Sequence, residues 1–451
     1  MVGQFRSIEE FMMRRFTGGA AQASYVQRVR DIDPGRCLVV PVDVGKWDGV
    51  ALIANHHGEV VSEPFEFALT MSGTDRLVEA ITQSRSGIAA ESVRVGVESA
   101  GHYHRALCSE LDRRGLDVVE LNPKSVKAAR GQLGQSRLKT DVADCFAMVE
   151  LLTRGQGWPF HRQSDAIVSQ QLWVARRRRT LEACKRQRNQ VHAVADLACP
   201  GLIGCFRSGL DAPTLRMLLS TAADPAMLGR LSVEDLVNHA RTHGRRMLRP
   251  KAGEVIAAAQ DAQCIAPAQR ATAQQILGRE VAALDVLYQE LAVCDHQLGR
   301  LIEQTPASVL CTIPGVGILT ASYYGAALGD PSRFANAAAA YRYSGLSPSS
   351  HDSAGRSRPP RISREGSVEL RQAILTLGQG LVMHHPDFNA YKKRLMAAGK
   401  KPLVAAVAAS HRAHRLAFAM IRSQQDFDNN QWEDSVARGQ PATATKVTEA
   451  T

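Results

Sequence analysis

Four carboxylates stand out because each lies beside a short β-branched run or at the start of a helical stretch. Asp43 follows C-L-V-V-P-V, and Glu98 closes R-V-G-V-E. Asp141 and Asp144 are three residues apart in K-T-D-V-A-D, so on a helix they share one face. Like charges this close are disfavoured without a cation between them, and Mg²⁺ prefers carboxylate oxygens. The four residues therefore predict a Mg²⁺ site suited to phosphodiester chemistry.

A second group of polar residues lies in S-S-H-D-S-A-G-R-S-R-P-P-R-I-S-R, where serines alternate with Arg356, Arg358, Arg361 and Arg364. Arginine forks match phosphate oxygens in shape and charge. A serine among them, such as Ser353, can attack a phosphodiester, or the stretch can simply be a polar loop. The residues alone leave both interpretations open.

A basic run, R-R-R-R-T-L-E-A-C-K-R-Q-R, keeps helical spacing in the middle of the chain. We predict that this helix contacts nucleic-acid phosphates; the alternative is an ordinary solvated helix surface. The residues concerned are Arg176, Arg177, Arg178, Arg179, Lys185, Arg186 and Arg188.

The motif I-P-G-V-G places Gly315 and Gly317 between two helical stretches. It predicts the turn of a helix-hairpin-helix, whose backbone N–H groups can bind a phosphate. A plain glycine turn between packed helices explains the motif equally well.

The order of elements predicts how the carboxylates are brought together. Three strands at hairpin spacing begin with residues 37–44, and a helix, a strand at 93–98, a helix and a strand at 117–121 follow. The basic stretch 124–139 is interpreted as a loop, and the next helix begins near Thr140. This order predicts an α/β ribonuclease-H-like (RuvC-like) domain, in which the first strand, the fourth strand and the late helix converge.

The predicted organisation has five parts. A flexible arm (1–35) precedes the RuvC-like domain (36–155). A helical linker or coiled-coil arm (156–303) leads to a mainly α C-terminal domain with the helix-hairpin-helix (304–423), and a disordered tail (424–451) follows.

Composition narrows the class of protein. The 451 residues carry a net charge of +11, which favours a polyanionic partner such as nucleic acid. The nine cysteines form no C-x-x-C pair, so we expect reduced thiols in a cytoplasmic protein rather than a zinc site or a disulfide framework. No secretory signal is recognised at the start, and no apolar run reaches the ~18 residues of a membrane span, so no membrane association is expected.

Together these motifs resemble a known family. It comprises bacterial insertion-sequence transposases that join an N-terminal RuvC-like DEDD domain to a C-terminal serine-containing transposase domain. The family is related to pilin-gene DNA invertases and is described as bridge-RNA-guided recombinases. The motifs run in family order over residues 38–153 and 305–385: V-D-V-G, G-V-E-S-A-G, K-T-D-V-A-D, I-P-G-V-G, Y-S-G-L-S-P, H-D-S-A-G and I-S-R-E-G-S-V-E-L-R.

The resemblance implies a mechanism and partners. The tetrad Asp43, Glu98, Asp141 and Asp144 binds Mg²⁺ beside the serine of a second protomer in a dimer or tetramer. The serine, Ser353, attacks a DNA phosphate and leaves a covalent phosphoserine. A structured guide (bridge) RNA encoded by the element pairs with donor and target DNA. Ala354 stands where a glycine is usual in the family, which keeps Ser350 as the alternative nucleophile.

Three other classes of function compete with this interpretation. In a metal-dependent RuvC-like nuclease or Holliday-junction resolvase, the tetrad cuts by hydrolysis and Ser353 is structural. An actin-like ATPase also begins with V-D-V-G, but no second phosphate loop or adenosine motif is recognised. A non-catalytic nucleic-acid-binding protein would show no Mg²⁺-dependent cleavage. Trapping a covalent protein–DNA adduct separates the serine recombinase from the other three.

Overall fold

The computed structural model describes residues 20–99, 101–133, 140–349, 352–353, 356–357, 361–363 and 366–429. Of residues 20–21, 348–349, 352–353, 356–357 and 361, only the backbone is described. The chain divides into two compact units, Met1–Arg162 and Gln163–Thr451.

The first unit is built on a mixed sheet of six strands in the order β3-β2-β1-β4-β5-β6. β1, β2 and β3 form an antiparallel meander, β1, β4 and β5 are parallel, and β6 is antiparallel to β5. The bounds are Cys37–Val44 (β1), Asp48–Asn55 (β2), Val60–Ala68 (β3), Ser92–Glu98 (β4), Asp117–Leu121 (β5) and Trp158–Pro159 (β6). Five of these strands are predicted by the sequence; the two-residue β6 is not. The arrangement is consistent with a ribonuclease-H-like domain.

Five helices complete this unit: α1 (Ala20–Val29), α2 (Met71–Gly87), α3 (His104–Arg113), α4 (Pro123–Gln132) and α5 (Asp141–Thr153). Apolar side chains are buried on both faces of the sheet, so β1 is an almost continuous apolar run. Gly96 in β4 allows α5 to pack closely, because a Cβ there would lie 2.5 Å from the Leu152 side chain.

Helix α4 corrects the interpretation of 124–139 as a loop for residues 124–132; residues 134–139 lie outside the described range. Asn122 caps this helix by accepting a hydrogen bond from the Lys124 N–H (2.9 Å), and Pro123 occupies the first helical position. Both are standard signals for a helix start, and the density of lysines and arginines obscured them.

Helix α1 corrects the expectation of a flexible arm for residues 20–35. Tyr25 is only 1% exposed, and its hydroxyl is 2.6 Å from His56 Nε2. The Arg94 guanidinium lies over the Tyr25 ring, 3.3 Å from the centroid. A buried aromatic ring therefore fixes this helix to the sheet unit; residues 1–19 lie outside the described range.

The second unit begins with two long helices, α6 (Asp165–Ala198) and α11 (Pro267–Ile302), which pack along each other in antiparallel fashion. Four helices between them share one apolar core with the end of α6 and the first half of α11: α7 (Pro213–Thr221), α8 (Pro225–Leu228), α9 (Val233–Thr242) and α10 (Arg249–Gln260). The predicted helical segment is thus a long helix pair with a small helical subdomain inserted between the two helices.

The rest of the second unit is mainly α. Its helices are α12 (Ile318–Leu328), α13 (Ala337–Tyr343), α14 (Val368–His384), α15 (Pro386–Ala397) and α16 (Pro402–Ser423). They surround one apolar core. Four two-residue strands precede α14: β7 (Pro348–Ser349), β8 (Asp352–Ser353), β9 (Arg356–Ser357) and β10 (Arg361–Ile362). In the part of the chain that the structure describes, no helix has the length and apolarity to cross a membrane.

Candidate active site

Asp43 and Glu98 lie at the carboxyl ends of neighbouring parallel strands. β1 and β4 pair with Val42 opposite Val97, so the next residue in each strand is one of the two acids. Both side chains are half-buried. The structure therefore places these two predicted site residues at the same edge of the sheet.

The first turn of α5 lies over the same end of β1. Thr140 caps the helix by accepting a hydrogen bond from the Ala143 N–H (3.2 Å), as the sequence predicts. The Cys145 thiol donates to the carbonyl of Val50 (3.5 Å), and Val50 is the partner of Asp43 in the β1–β2 ladder. The helix that carries Asp141 and Asp144 is thus fixed beside Asp43.

The buried Cys145 thiol lies within electrostatic range of three of the four carboxylates. The pKa of Cys145 is raised to about 12, chiefly by burial and in smaller part by the negative charges of Asp43, Asp141 and Asp144, against a backbone hydrogen bond at Asp43 that lowers it. The Cys145 thiol is therefore influenced by carboxylates of both β1 and α5. Glu98 lies on β4, the strand beside β1.

Asp144 has a cationic partner that the sequence did not reveal. Arg130 of α4 forms an ion pair with Asp144, and both residues are buried, at 8% and 5% exposure. Asp141, one turn earlier, is exposed to solvent. The sequence signal for Arg130 was the helix that Asn122 caps, because this helix carries the arginine to the start of α5.

The donor types fit Mg²⁺, since four carboxylates supply the oxygen ligands that a hard cation prefers. As the side chains stand, no three His, Cys, Asp or Glu residues within the described ranges are grouped closely enough to hold a metal ion. Arg130 satisfies Asp144 in this arrangement. Asp43, Glu98, Asp141 and Asp144 therefore remain a predicted metal site.

The turn that follows Asp43 carries an exposed aromatic residue that the sequence motifs did not single out. Trp47 is 71% exposed, and the Lys46 ammonium lies 4.7 Å from the centroid of its ring. The sequence signal for an exposed Trp47 was its position within a Gly-containing hairpin turn, because a side chain in such a turn cannot reach the core.

The predicted nucleophile lies on a short hairpin. β8 and β9 are antiparallel, with Ser353 directly opposite Arg356, and β7 and β10 pair with Ser349 opposite Arg361. The stretch interpreted as a polar loop therefore contains two short antiparallel pairs. The backbone register places arginine positions across from serine positions. Ser350, Arg358 and Arg364 lie outside the described residues.

Two motifs build the base of this hairpin. The Ser363 N–H donates to the Ser347 carbonyl (3.0 Å), and the Ser367 N–H donates to the Tyr343 carbonyl (2.8 Å). Gly366 has φ +132°, and a Cβ there would lie 2.1 Å from the Tyr343 carbonyl oxygen. Backbone hydrogen bonds thus join the Y-S-G-L-S-P and I-S-R-E-G-S motifs, and the hairpin extends from the point where the two motifs meet.

The two glycines of I-P-G-V-G have different surroundings. Gly315 has φ +83°, and a Cβ there would lie 2.2 Å from the His384 Cβ, so this glycine permits close packing against α14. Gly317 precedes α12, and a Cβ at this position would meet no atom within 4 Å, which leaves the helix start open. The segment before the turn is a 3-10 helix, Pro306–Thr312, rather than the first α-helix of a helix-hairpin-helix.

The basic run on α6 divides into two sets. Arg176 pairs with Glu290 (2.8 Å), Arg177 with Asp295, Arg188 with Asp211, and Arg178 more weakly with Glu369 (3.4 Å). The second set is exposed to solvent and consists of Arg179, Lys185 and Arg186. Lys185 pairs with Glu182 of the same helix (2.9 Å). Much of the predicted phosphate-binding charge is therefore compensated by carboxylates.

Two family models match this chain. A transposase model for the DEDD domain of the IS110 type covers residues 40–200, and a model described as the transposase IS116/IS110/IS902 family covers residues 307–393. Together they cover just over half of the chain. The chain belongs to the IS110/IS116 family of transposases.

Curated relatives of this IS110/IS116-family chain carry insertion-element and gene-inversion names. It is 24% identical over 245 residues to the insertion element IS110 uncharacterized 43.6 kDa protein of Streptomyces coelicolor (54% of this chain, 60% of the relative). It is 33% identical over 146 residues to the pilin gene-inverting protein of Moraxella bovis (30% of this chain, 44% of the relative). The insertion element IS116 uncharacterized 44.8 kDa protein of Streptomyces clavuligerus is 23% identical over 394 residues, which span 84% of this chain and 96% of the relative.

The matched domains fall on the two halves of the predicted site. The first covers the sheet unit from residue 40 onward and α6, and the second covers the serine hairpin and α14. Residues 201–306 and the chain after residue 393 lie outside both matches.

Proposed function

We propose that this chain is a DNA transposase or recombinase that cuts and rejoins DNA strands through Ser353. The observation that carries the proposal is that one chain holds both family domains, the acidic sheet edge with Asp43 and Glu98 and the hairpin with Ser353 opposite Arg356. The names of its relatives refer to insertion elements and to gene inversion, and both processes rearrange DNA.

In this proposal Asp43, Glu98, Asp141 and Asp144 would hold Mg²⁺. When bound, such an ion polarises a phosphate oxygen and makes a coordinated hydroxyl more acidic. The chain itself prepares the site by fixing Asp43 and Glu98 on adjacent strands and by placing α5 beside them. Arg130 compensates the charge of Asp144 while that carboxylate is buried.

The covalent step is a transesterification at phosphorus. The Ser353 hydroxyl gives up its proton, its oxygen forms a bond to phosphorus, and the bond from phosphorus to the departing strand breaks. The departing oxygen takes up a proton, and the DNA phosphate remains on the serine. Attack by another strand's hydroxyl reverses the step and rejoins DNA. Arginines of the hairpin, with Arg356 opposite the serine in register, offset the charge that builds on the phosphate.

The acids and the serine belong to different units of the chain. We infer that the working site is composite, with the acids of one protomer meeting Ser353 of another in a homo-oligomer. Donor and target DNA are the substrates, and a structured guide RNA encoded by the element directs them. The exposed set Arg179, Lys185 and Arg186 supports an RNA contact by its charge alone.

Complementation tests the composite site. Glu98→Gln and Ser353→Ala proteins should each be inactive in DNA strand cleavage, because each removes one half of the site. Mixed together they should recover part of the activity, since a mixed oligomer contains one intact site. Recovery measured against each variant alone distinguishes a site assembled in trans from one assembled within a protomer, for which mixing restores nothing.

Adduct trapping tests the nucleophile. Denaturing electrophoresis of wild type with labelled DNA should show a protein–DNA species that Ser353→Ala lacks and Ser350→Ala retains. If Ser350→Ala alone loses the adduct, Ser350 is the nucleophile. If wild type cleaves DNA and never forms an adduct, the enzyme is a hydrolytic RuvC-like nuclease.

A further inference from the structure

The chain from 388 to 425 contains eight lysines and arginines and no aspartate or glutamate. It forms most of α15 and all of α16, which pack against each other and are joined by a turn at Gly399 (φ +81°). Five exposed cations of this helix pair and its connecting turn define the α15–α16 basic surface: Lys393, Arg394, Lys400, Lys401 and Arg415. Arg422 of α16 is also exposed, but it donates to the Ala335 carbonyl (3.2 Å) and is not counted in this surface.

An aromatic ring organises the arginines of this surface. The Arg412 guanidinium lies over the Tyr391 ring at 4.4 Å from the centroid, and Arg394 lies 5.5 Å from the same ring. Burial lowers the pKa of Arg412, and the positive charges of Arg394 and Arg415 lower it further, while Tyr391 opposes the shift. Arg394 and Arg415 are therefore each near enough to repel the Arg412 guanidinium.

Little negative charge offsets this cluster. Within the described ranges, no carboxylate lies within 4.0 Å of the side-chain nitrogens of Lys393, Arg394, Lys400, Lys401 or Arg415. Like charges held together by a fold destabilise it unless a polyanion neutralises them. The packing of two helices that both carry only cations over this stretch is the arrangement expected of a surface that meets such a polyanion.

We propose that the α15–α16 basic surface binds the sugar–phosphate backbone of duplex DNA without regard to sequence. The guanidiniums of Arg412 and Arg394 lie over the Tyr391 ring, so we assign this ring to orienting cations for phosphates rather than to stacking on bases. The surface lies almost wholly beyond residue 393, where the match to the second family model ends. The choice of DNA over another polyanion rests on the proposed function.

The test is the binding of the full-length protein to a labelled mixed-sequence DNA duplex over a range of salt concentrations. The variant Lys393→Gln/Arg394→Gln/Arg415→Gln removes three exposed cations, all outside the predicted catalytic groups. At moderate salt it should bind at least about tenfold more weakly than wild type, and the slope of log K against log salt should fall by roughly 2 to 3.

The matched control removes three exposed cations from α2 and α3, helices that also carry aspartates and glutamates: Arg76→Gln/Arg105→Gln/Arg113→Gln. It makes the same change in net charge and should leave the slope near that of wild type. If both triple variants lose affinity equally, overall charge explains the binding and the proposed surface is wrong. Circular dichroism checks folding, and the single variants Arg394→Gln and Arg415→Gln, each with a slope change of about 1, replace the triple if it fails to fold.

Two further outcomes bear on the choice of ligand. If the triple variant keeps its DNA binding and loses affinity only for a structured RNA probe, the assignment to DNA is overturned. If wild type cleaves DNA and the triple variant binds the duplex as wild type does, the surface assignment fails and the proposed function stands. If wild type does not bind the duplex at all, both fail.

Discussion

The basic run of α6 and the α15–α16 basic surface are both rich in lysine and arginine, yet their surroundings differ. The α6 run places seven such residues between 176 and 188, and Arg176, Arg177 and Arg188 pair with carboxylates. On the α15–α16 surface the exposed cations face no carboxylate among the described residues. The difference teaches that affinity for a polyanion depends on the charge left over after internal pairing, and the density of a run in the sequence does not reveal it.

The sheet unit contains the opposite case, a cation whose charge is fully compensated. Arg130 and Asp144 are both buried and form a single ion pair, so neither charge is available to a ligand while the pair persists. The molecule thus contains a compensated buried pair, a partly compensated helix and an uncompensated surface. Removing a cation from the buried pair should lower folding stability. Removing cations from the α6 run should lower both stability and nucleic-acid binding, and removing them from the α15–α16 basic surface should lower binding alone.

The largest effect is expected at the buried pair. Arg130→Gln leaves the Asp144 carboxylate buried without its cation, which should lower the free energy of unfolding by about 3–5 kcal/mol in urea denaturation. The double variant Arg130→Gln/Asp144→Asn should recover part of this loss, because it removes the isolated charge. As a control, Arg154→Gln breaks the exposed pair with Glu150 and should cost less than about 1 kcal/mol.

Equal stability of Arg130→Gln and wild type would show that the Asp144 carboxylate finds another partner. The buried pair would then no longer be an example of a fully compensated charge.

The same ion pair affects how variants of the predicted metal site are interpreted. Asp144→Ala would isolate a buried arginine, so its loss of cleavage could reflect unfolding rather than loss of metal. Glu98→Gln and Asp43→Asn, at half-buried strand ends, are the sharper tests of the predicted site.

An intermediate effect is expected for the paired arginines of α6. The variant Arg176→Gln/Arg177→Gln/Arg188→Gln removes links to α11 and to Asp211, and the Arg177 side chain is only 14% exposed. Thermal and urea unfolding should report a loss of roughly 1–3 kcal/mol. The salt slope of nucleic-acid binding should change little, because these guanidiniums already have carboxylate partners.

If this triple variant instead keeps its stability and flattens the salt slope as strongly as the α15–α16 variant does, the ion pairs open on binding. The α6 run would then be the phosphate-contacting surface that its sequence predicts. Reversing the charges of Arg176–Arg179 together would mix both effects, so the paired and exposed sets need separate variants.

Much of the fold could be predicted from local signals. β1 and β5 have the predicted bounds, and Thr140 caps α5 as expected. The placement of Asp43 and Glu98 also followed from the order of strands, because neighbouring parallel strands end at one edge. These features depend on residues close together in sequence or on a topology with few alternatives.

The features that could not be predicted depend on contacts between distant residues. Arg130 meets Asp144 only because α4 forms, and its cap at Asn122 was outweighed by the basic composition that follows. The partners of Arg176 and Arg177 lie on α11, more than a hundred residues away, so this part of the run looked free in the sequence. The missing carboxylates between 388 and 425 were visible, but the Tyr391–Arg412 contact was not.

The smallest and most selective effect is expected for the exposed set on α6. The variant Arg179→Gln/Lys185→Gln/Arg186→Gln should leave the free energy of unfolding within about 0.5 kcal/mol of wild type, since exposed charges contribute little to stability. If the helix contacts RNA backbone, the slope of log K against log salt for a structured RNA should fall by roughly 1 to 2, because Lys185 already has a partner in Glu182. The same titration with duplex DNA should show a smaller change than the α15–α16 variant does. An unchanged slope with both probes would leave α6 as a solvated helix, and the only basic surface with a binding role would then be the one without carboxylates.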